Sequence, residues 1–297
     1  MRTRLRKGVN LFSNLFLTPA ILVYSVFVII PVFLTFYYSL TDWDGVSPKV
    51  FQWFANYKEL ILDENYWVVA KNNFTLVLIA LVVQNPVALV LAYFVSQVVK
   101  GKGYRAFRSV YFLPVVISAA ATALMFSLMF NNQVGPLNYL GRTFDWQWLD
   151  ISWLSDPKIV LYVVISVQVW QYIGIQFIIF LAAIQSIPAE ILESAYLDGA
   201  SNLKMLWFIL LPLLWEVVQI CIIWTVTGCL KAFDHAWLMT WGGPGYASTY
   251  LPVYMFRTAF KEFGFSYGCT IAISILFFSL VFTVLFKRFV SRETTQF

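Results

Sequence analysis

The chain has 297 residues, of which 60% are hydrophobic, 19% aromatic and 12% charged, and its mean hydropathy is +0.74. Because a soluble domain carries about 25% charged residues, this composition excludes a soluble globular protein and indicates an integral membrane protein. The formal net charge is +5, and we attribute it to the membrane topology derived below rather than to nucleic-acid binding.

Six apolar runs are long enough to cross a membrane, which takes about 20 residues in a helix. They comprise residues 12–40, 74–97, 109–130, 159–186, 206–228 and 267–289. Long unbroken runs favour helices over outer-membrane strands, whose hydrophobicity alternates over short segments. The first run follows a basic stretch, but it is too long for a signal peptide and has no small-residue cleavage site. We therefore predict an all-α membrane protein whose six transmembrane helices form one domain, residues 1–297.

The distribution of Lys and Arg predicts the orientation of these helices. Twelve of the 20 basic residues lie at the N-terminus, in the loops near 98–108 and 187–205, and in the C-terminal tail. The loops on the other side hold the remaining eight and most of the acidic residues. We expect a multi-pass protein of the cell (cytoplasmic or inner) membrane, with both termini in the cytoplasm.

Residues 187–205 are net acidic, although the basic residues mark their side of the membrane as cytoplasmic. Pro188 can begin a helix, and apolar residues recur after it at helical spacing with two glutamates on the flank. Gly199 suits a left-handed turn at the end of a helix. Ser201 can cap the next helix, which continues into the fifth run. The pattern predicts two helices that meet at a bend, and an ordinary polar loop between helices accounts for it equally well.

The stretch "ESAYLDGAS" (193–201) followed by "LLPLL" (210–214) resembles the EAA loop of the permease subunits of ATP-binding-cassette importers. The matching positions are Glu193, Ser194, Ala195, Asp198, Gly199, Ala200, Leu211 and Pro212. The one departure in the first triplet is Ser194, which stands where the pattern has Ala.

Four further segments resemble, in the same order, segments of the carbohydrate-uptake permeases related to the maltose and glycerol-3-phosphate importers. They are "FRSVYFLPVVIS" (107–118), "GPLNYLG" (135–141), "VWQYIGIQFIIFLAAIQSIP" (169–188) and "FDHAWLMTWGGPGYAST" (233–249). The resemblance covers most of the chain from about residue 70 onward. It implies the fold of a type I importer permease, with residues 187–205 as a cytoplasmic coupling loop.

The resemblance also implies partners. In such importers the EAA loop docks in a cleft of a cytoplasmic ATPase and transmits its closure to the spans. The residues implied in this contact are Glu190, Leu192, Glu193, Ser194, Ala195, Tyr196, Asp198, Gly199 and Ala200. We expect two ATPase subunits, a second homologous permease as heterodimer partner, an extracytoplasmic solute-binding protein and the lipid bilayer around the chain.

Catalysis and cofactor binding are not expected of this chain. The sequence lacks the G-x-x-x-x-G-K-[ST] loop that cradles nucleotide phosphates, so ATP and Mg are expected on the partner ATPase. Cys221, Cys229 and Cys269 lie in or beside apolar runs without metal-ligand spacing, and we interpret them as buried small hydrophobic residues. His235 is the single His; no nucleophile is readable near it, so we expect a structural or interfacial role.

Polar residues of the fourth run share one helical face. With 100° per residue, Gln168, Gln171, Tyr172, Ile175 and Gln176 lie at about 0°, −60°, 40°, −20° and 80°. Amides next to aromatic rings suit a sugar site, and amides that join helices to each other are an equal alternative from spacing alone. The resemblance implies that this region and the middle of the fifth run line the substrate cavity. We therefore select Gln171, Tyr172, Ile175 and Gln176, followed by Thr225 and Cys229.

Three charged residues have open roles. Glu216 lies about ten residues into the fifth run, and we favour an interface with a second permease or the inner headgroups over contact with substrate. Lys231 and Asp234 form either an outer gate pair or solvated loop charges.

The favoured function is the membrane subunit of an ATP-driven, binding-protein-dependent importer for a sugar, in particular an oligosaccharide, working by alternating access. The first alternative is the same class of importer for a non-sugar solute such as glycerol phosphate or a polyamine; the absence of Lys and Arg from the middle of the runs counts against phosphate. The second alternative is an ion-coupled secondary carrier, for which Glu216 alone is slight support.

Overall fold

The computed structural model describes residues 16–98 and 102–290. The basic N-terminal stretch, Lys100 and Arg292, on which part of the orientation prediction rests, lie outside the described residues. The described elements, in chain order, are α1 (Phe16–Ser39), β1 (Thr41–Asp42), β2 (Val50–Phe51), α2 (Ala55–Leu62), α3 (Glu64–Gln97), α4 (Lys102–Val116), α5 (Ala119–Met129), α6 (Pro136–Thr143), α7 (Val160–Gln185), α8 (Ala189–Leu197), α9 (Asn202–Leu213), α10 (Trp215–Leu230), α11 (Asp234–Thr240), α12 (Leu251–Phe260) and α13 (Phe265–Val290).

The predicted all-α membrane fold is confirmed. By length and composition, five helices of the described part could cross a membrane, namely α1, α3, α7, the stretch Trp215–Thr240 and the segment Phe265–Arg288 of α13. A sixth is added if Ala106–Val116 and Ala119–Met129, which meet at 91°, count as one span. These six correspond in order to the six apolar runs.

Three of the predicted spans have different limits. The second helix begins at Glu64 rather than 74, because the Asp63 side chain caps it by accepting from the amide of Asn65 at 2.9 Å. The buried amides of Asn72 and Asn73 are satisfied by the carbonyls of Tyr246 and Cys229. The fifth run is interrupted at Leu214, where the backbone leaves helical geometry (φ −89°, ψ 7°), two residues after Pro212. Beyond this break α10 continues to Leu230, close to the predicted end at 228, and the apolar stretch extends through α11 to Thr240.

The third run is divided by a bend between Val116 and Ala119. Pro114 lies inside the last turn of α4, where it removes one amide donor and disfavours continuation of the helix. Ser118 adopts an extended conformation (φ −60°, ψ 143°) and its Oγ accepts from the amide of Ala121 at 3.2 Å, which caps α5. Hydropathy does not register this bend, because both halves are apolar.

The described residues group into two compact units. The described part of the first comprises residues 16–62 and 255–274. In it β1 and β2 pair antiparallel, with Thr41 opposite Phe51. The buried Asn56 amide donates to the carbonyls of Ser39 at 2.9 Å and Thr41 at 2.7 Å, which fixes the turn between α1 and β1. The Lys49 ammonium lies 4.4 Å from the ring centroid of Trp43, within the range of a cation–π contact.

The described part of the second unit comprises residues 63–98, 102–254 and 275–290 and includes α7. α7 buries 15 of its 26 residues, among them Val164, Phe177 and Phe180. One apolar cluster surrounds its first half together with parts of α3, α10 and α11, and another surrounds its second half together with α9 and the end of α3. In the connection before α7, hydrogen bonds from Asn138 and Arg142 hold the pKa of Asp150 below its usual value. The prediction of one domain over the whole chain stays a prediction.

Asn73 fastens α3 to two other segments of the second unit. It is fully buried; its Nδ2 donates to the carbonyl of Cys229 at 2.9 Å, and its Oδ1 accepts from the amide of Leu251 at 3.0 Å. Asn73→Ala is expected to leave the Leu251 amide unsatisfied and to cost about 1–3 kcal/mol of stability. Thermal unfolding of the purified protein measures this, with the exposed Asn65→Ala of the same helix as control. Equal unfolding temperatures for the two variants would contradict the assignment.

Candidate functional site

A cavity of about 290 Å³ opens in the second unit between α3, α7, α10 and the start of α11. Its walls combine amides, aromatic rings and two charged groups. The lining residues are Gln84, Gln168, Tyr172, Ile175, Trp224, Thr225, Gly228, Cys229, Lys231, Ala232, Phe233, Asp234 and His235. Small-molecule sites of proteins typically measure about 300–1,000 Å³, so the cavity on this chain has the size of a small or incomplete site.

The central positions of the polar face of α7 form one wall. Gln168, Tyr172 and Ile175 all line the cavity, as the helical arrangement of this face predicts. Gln168 is 5% exposed, and its Oε1 is buried without a hydrogen-bond partner among the described residues. A buried acceptor without a partner is costly, and a rotation of the Gln168 side chain toward the cavity would let a hydroxyl or water there supply the missing donor.

Gln171 lies on one flank of that face and does not line the cavity. Its Nε2 donates to the carbonyls of Pro114 at 3.3 Å and Ile117 at 2.9 Å, and its Oε1 lies 2.7 Å from Nε2 of His235. The amide therefore satisfies the carbonyls exposed at the bend between α4 and α5. In this conformation Gln171 acts as an amide that joins helices, the alternative that the sequence analysis left open, because every polar atom of the side chain is engaged; its contact with substrate stays a prediction.

Gln176, on the other flank, is engaged in the same way. Its Oε1 accepts from Gln84 Nε2 at 2.7 Å, and its Nε2 donates to the Thr225 hydroxyl. Thr225 does line the cavity, but its hydroxyl donates to the carbonyl of Cys221 at 2.8 Å and also accepts from Asn85. Gln176 thus joins α3, α7 and α10 to one another, and Thr225 contributes mainly its shape to the cavity wall.

Several lining residues escaped the sequence analysis. Gln84 ends a π-helical turn, Ala80–Gln84, and a wide turn of this kind often marks a functional site. The sequence signal that could have identified Gln84 is a polar amide inside the apolar run 74–97. Trp224 and Phe233 add aromatic surface, and neither carries a sequence signal that separates it from the many other aromatic residues of the chain.

Lys231 and Asp234 both line the cavity and are exposed, and in the described part of the chain no salt bridge joins them. The proposed gate pair is therefore not formed in this conformation. His235 is buried, and its ring lies edge-on to Tyr172 with the centroids 6.1 Å apart. Its expected structural role is consistent with the bond to Gln171, and in addition it reaches the cavity wall.

Glu216 is exposed in the first turn of α10. The break at Leu214 places it at a helix N-terminus, where a carboxylate is stabilised by the helix dipole. Its role as an interface residue stays a prediction.

Cys221, Cys229 and Cys269 are buried thiols. Within residues 16–98 and 102–290, no group of three or more His, Cys, Asp or Glu side chains could hold a metal ion.

The predicted helix after Pro188 is present as α8, and Gly199 is left-handed with φ +78°. The Gly199 amide donates to the carbonyl of Tyr196 at 3.0 Å, and the Ala200 amide donates to that of Ala195 at 3.0 Å. This pair of bonds is a Schellman motif, which satisfies the last carbonyls of a helix and turns the chain sharply. Ser201 occupies the N-cap of α9, but its side chain makes no capping hydrogen bond.

α8 presents one face to the protein and one to its surroundings. Ala195 is buried, and Leu192 and Ala200 pack against the same apolar cluster. The exposed residues of α8 and the turn after it are Ala189, Glu190, Glu193, Ser194, Tyr196, Leu197, Asp198 and Gly199. Leu192 therefore anchors α8 to its own chain, and Leu197, which is 89% exposed, is the apolar residue available to a partner. The Tyr196 hydroxyl lies 3.3 Å from Oδ1 of Asn202, which ties α8 to α9.

Residues 84–294 match the family model described as "Binding-protein-dependent transport system inner membrane component". A probable ABC transporter permease protein of Pyrococcus horikoshii is 36% identical over 270 residues, which is 90% of this chain and 91% of the relative. The multiple sugar-binding transport system permease protein of Streptococcus mutans is 32% identical, with 92% and 93% covered. The trehalose/maltose transport system permease protein of Thermococcus litoralis is 28% identical, with 92% of each chain covered.

The fold is similar to that of a chain in the crystal structure of a bacterial ABC transporter involved in import of the acidic polysaccharide alginate. The TM-score is 0.80 at 21% identity, with 98% of this chain and 100% of that chain covered. A second structure, of the alginate transporter in complex with an alginate pentasaccharide-bound periplasmic protein, gives a TM-score of 0.81 at 21% identity, with 99% of each chain covered. At this identity the likeness concerns the fold.

Proposed function

The chain belongs to the family of binding-protein-dependent transport system inner membrane components, and from this membership we propose that it forms part of the solute path of an ATP-driven importer for a sugar, in particular an oligosaccharide. The cavity beside α7 is the proposed path. Relatives that are named as permeases for multiple sugars and for trehalose and maltose support this class of solute.

The observation that carries the proposal is the unpartnered Oε1 of Gln168, a residue that lines a cavity with aromatic walls. Sugar hydroxyls donate hydrogen bonds, and the apolar face of a sugar ring packs on aromatic side chains. Gln168 offers the acceptor, and Tyr172, Trp224 and Phe233 offer the rings. The volume of about 290 Å³ is small for an oligosaccharide, which supports a second permease that completes the path.

The coupling element in this proposal is α8 with the turn at Gly199. ATP binding would close two cytoplasmic ATPase subunits, and α8 would carry that movement into the helices around the cavity, so that the path opens alternately to each side. The exposed acids Glu190, Glu193 and Asp198 suit a polar or basic cleft. The remaining partner is a solute-binding protein outside the cytoplasm, with both termini of this chain in the cytoplasm.

A non-sugar solute is the second candidate, and one observation favours it. The sequence analysis found no Lys or Arg in the middle of the runs, but Lys231 lines the cavity, where it could bind an anionic group such as the phosphate of glycerol phosphate. Asp234 lines the same cavity, so the two formal charges offset each other and the wall carries no net charge. This balance favours a neutral solute over an anion.

An ion-coupled carrier would depend on an acidic residue within the membrane. Glu216, the residue considered for this role, lies at the start of α10 rather than in the cavity.

Gln168→Met is expected to impair uptake without weakening the fold. Loss of one neutral hydrogen bond costs about 0.5–1.5 kcal/mol, which corresponds to a roughly 2- to 10-fold rise in the half-saturating sugar concentration. Stability should be unchanged or slightly higher, because the variant removes a buried acceptor that has no partner.

The measurement is uptake of radiolabelled maltose and maltotriose into proteoliposomes that hold the complete importer, beside thermal unfolding of the same preparation. Ser166→Ala is the matched control, because it removes only a bond from Ser166 to the Val163 carbonyl within α7. Loss of stability in Gln168→Met with normal half-saturation would make Gln168 a packing residue and count against the proposed path.

A further inference from the structure

His235 occupies a position for which neither the family membership nor the proposed function provides a role. It is 3% exposed, it lines the cavity, and its Nε2 lies 2.7 Å from Oε1 of Gln171. Either nitrogen of a neutral His ring can carry the proton. The hydrogen-bond partners of the two nitrogens decide which one does.

The amide of Gln171 fixes that choice. Both hydrogens of its Nε2 are directed to backbone carbonyls, those of Pro114 and Ile117. A carbonyl oxygen only accepts, so the side-chain amide cannot be reversed without placing its own oxygen against two other oxygens. Oε1 of Gln171 must therefore face His235, and it requires a donor there. Nε2 of His235 is consequently the protonated nitrogen.

In the neutral imidazole the second nitrogen, Nδ1, is then an acceptor. Nε2 makes the hydrogen bond to Gln171, whereas Nδ1 has no hydrogen-bond partner within residues 16–98 and 102–290 and is not fully buried. Since His235 borders the cavity, this leaves Nδ1 accessible from the cavity side.

We infer that His235 presents Nδ1 as a fixed hydrogen-bond acceptor for a hydroxyl of the solute, and that Gln171 is the positioning residue which sets its tautomer. This inference rests on the proposed function. The acceptor at His235 adds to the one at Gln168, so two sides of the cavity would select solutes that donate hydrogen bonds. Gln171 thereby connects the bend of the third span to the chemistry of the cavity wall without touching the solute.

The tautomer can be measured directly, because His235 is the only His in the chain. A chain labelled with ¹⁵N at histidine alone, carrying no His tag, is assembled with unlabelled partners in lipid nanodiscs, and the two ring nitrogens are assigned by NMR near neutral pH. We expect Nε2 protonated and Nδ1 unprotonated, and we expect Gln171→Met to release this preference into a mixture. A protonated Nδ1 in the unsubstituted chain, in the neutral or the doubly protonated ring, overturns the inference.

Two substitutions separate the two nitrogens in an uptake assay with radiolabelled maltose. His235→Asn retains an acceptor near the position of Nδ1, whereas His235→Gln retains a donor near the position of Nε2. We expect His235→Gln to raise the half-saturating concentration about 2- to 10-fold and His235→Asn to raise it less. Equal half-saturation in both variants and the unsubstituted protein overturns the solute contact. Absence of maltose uptake by the unsubstituted importer counts against the proposed sugar function, and the tautomer measurement, which needs no solute, then decides the inference.

Discussion

Gly174→Ala is expected to destabilise the protein by about 1–3 kcal/mol or more, since inserting a methyl group into packed structure forces backbone and side chains to move. A Cβ at residue 174 would lie 2.0 Å from the backbone oxygen of Tyr111 and 3.2 Å from Cγ2 of Val115. Backbone cannot yield as the end of a flexible side chain can, so α4 would have to move away from α7. The carbonyls of Pro114 and Ile117 would then leave the Gln171 amide.

Gly228→Ala is the matched control for this prediction. Gly228 is also inside a helix, but a Cβ there meets no atom within 4 Å. Alanine is favoured over glycine in a helix by roughly 0.5–1 kcal/mol, so Gly228→Ala should be neutral or stabilising. Thermal unfolding and the amount of protein in the membrane report both variants. A Gly174→Ala protein that is as stable as Gly228→Ala would show that α4 does not approach α7 as closely as the structure has it.

Gly199→Val is expected to abolish most of the coupling between ATP hydrolysis and solute binding. At φ +78° a residue with a Cβ is strained by about 1–2 kcal/mol, and a β-branched residue is a genuine outlier there. A Cβ added at residue 199 would meet no atom within 4 Å, so the effect comes from backbone strain and not from a clash within the chain. Relief of the strain would change the orientation of α8. A strain of about 1.4 kcal/mol lowers the population of the native orientation relative to an unstrained one tenfold.

Gly199→Asn is the control, because Asn tolerates the left-handed conformation and occurs at this position of helix ends. The measurement is ATPase activity of the reconstituted importer with and without loaded solute-binding protein. We expect strong loss of stimulation in Gly199→Val and near-normal stimulation in Gly199→Asn. Glu193→Lys, which reverses an exposed charge on α8, should lose stimulation through repulsion from a basic cleft. Normal stimulation in both Gly199→Val and Glu193→Lys would reject the coupling role of α8.

The segment 188–199 shows how far local sequence information extends. Pro188 and Gly199 predicted the start and the end of α8, because their conformational limits act on the backbone at their own positions. Local sequence did not predict whether the side chains of Leu192 and Leu197 face the protein or its surroundings. Both are apolar, and only the packing of α8 against its own chain decides that Leu192 anchors the helix while Leu197 stays exposed.

The sequence by itself determined the class of the protein and the order of its helices. A run of about 20 apolar residues spans the hydrocarbon core of a bilayer, and its backbone groups must hydrogen-bond to each other there, which a helix achieves. It also placed five residues on one face of α7. Only the tertiary structure decided what covers each part of that face. Gln168, Tyr172 and Ile175, at its centre, line the cavity, whereas Gln171 and Gln176, at about −60° and 80° on its flanks, bond to neighbouring helices. Helical periodicity fixes the direction of a side chain from its own axis, but the position of the next helix comes from contacts far apart in the chain.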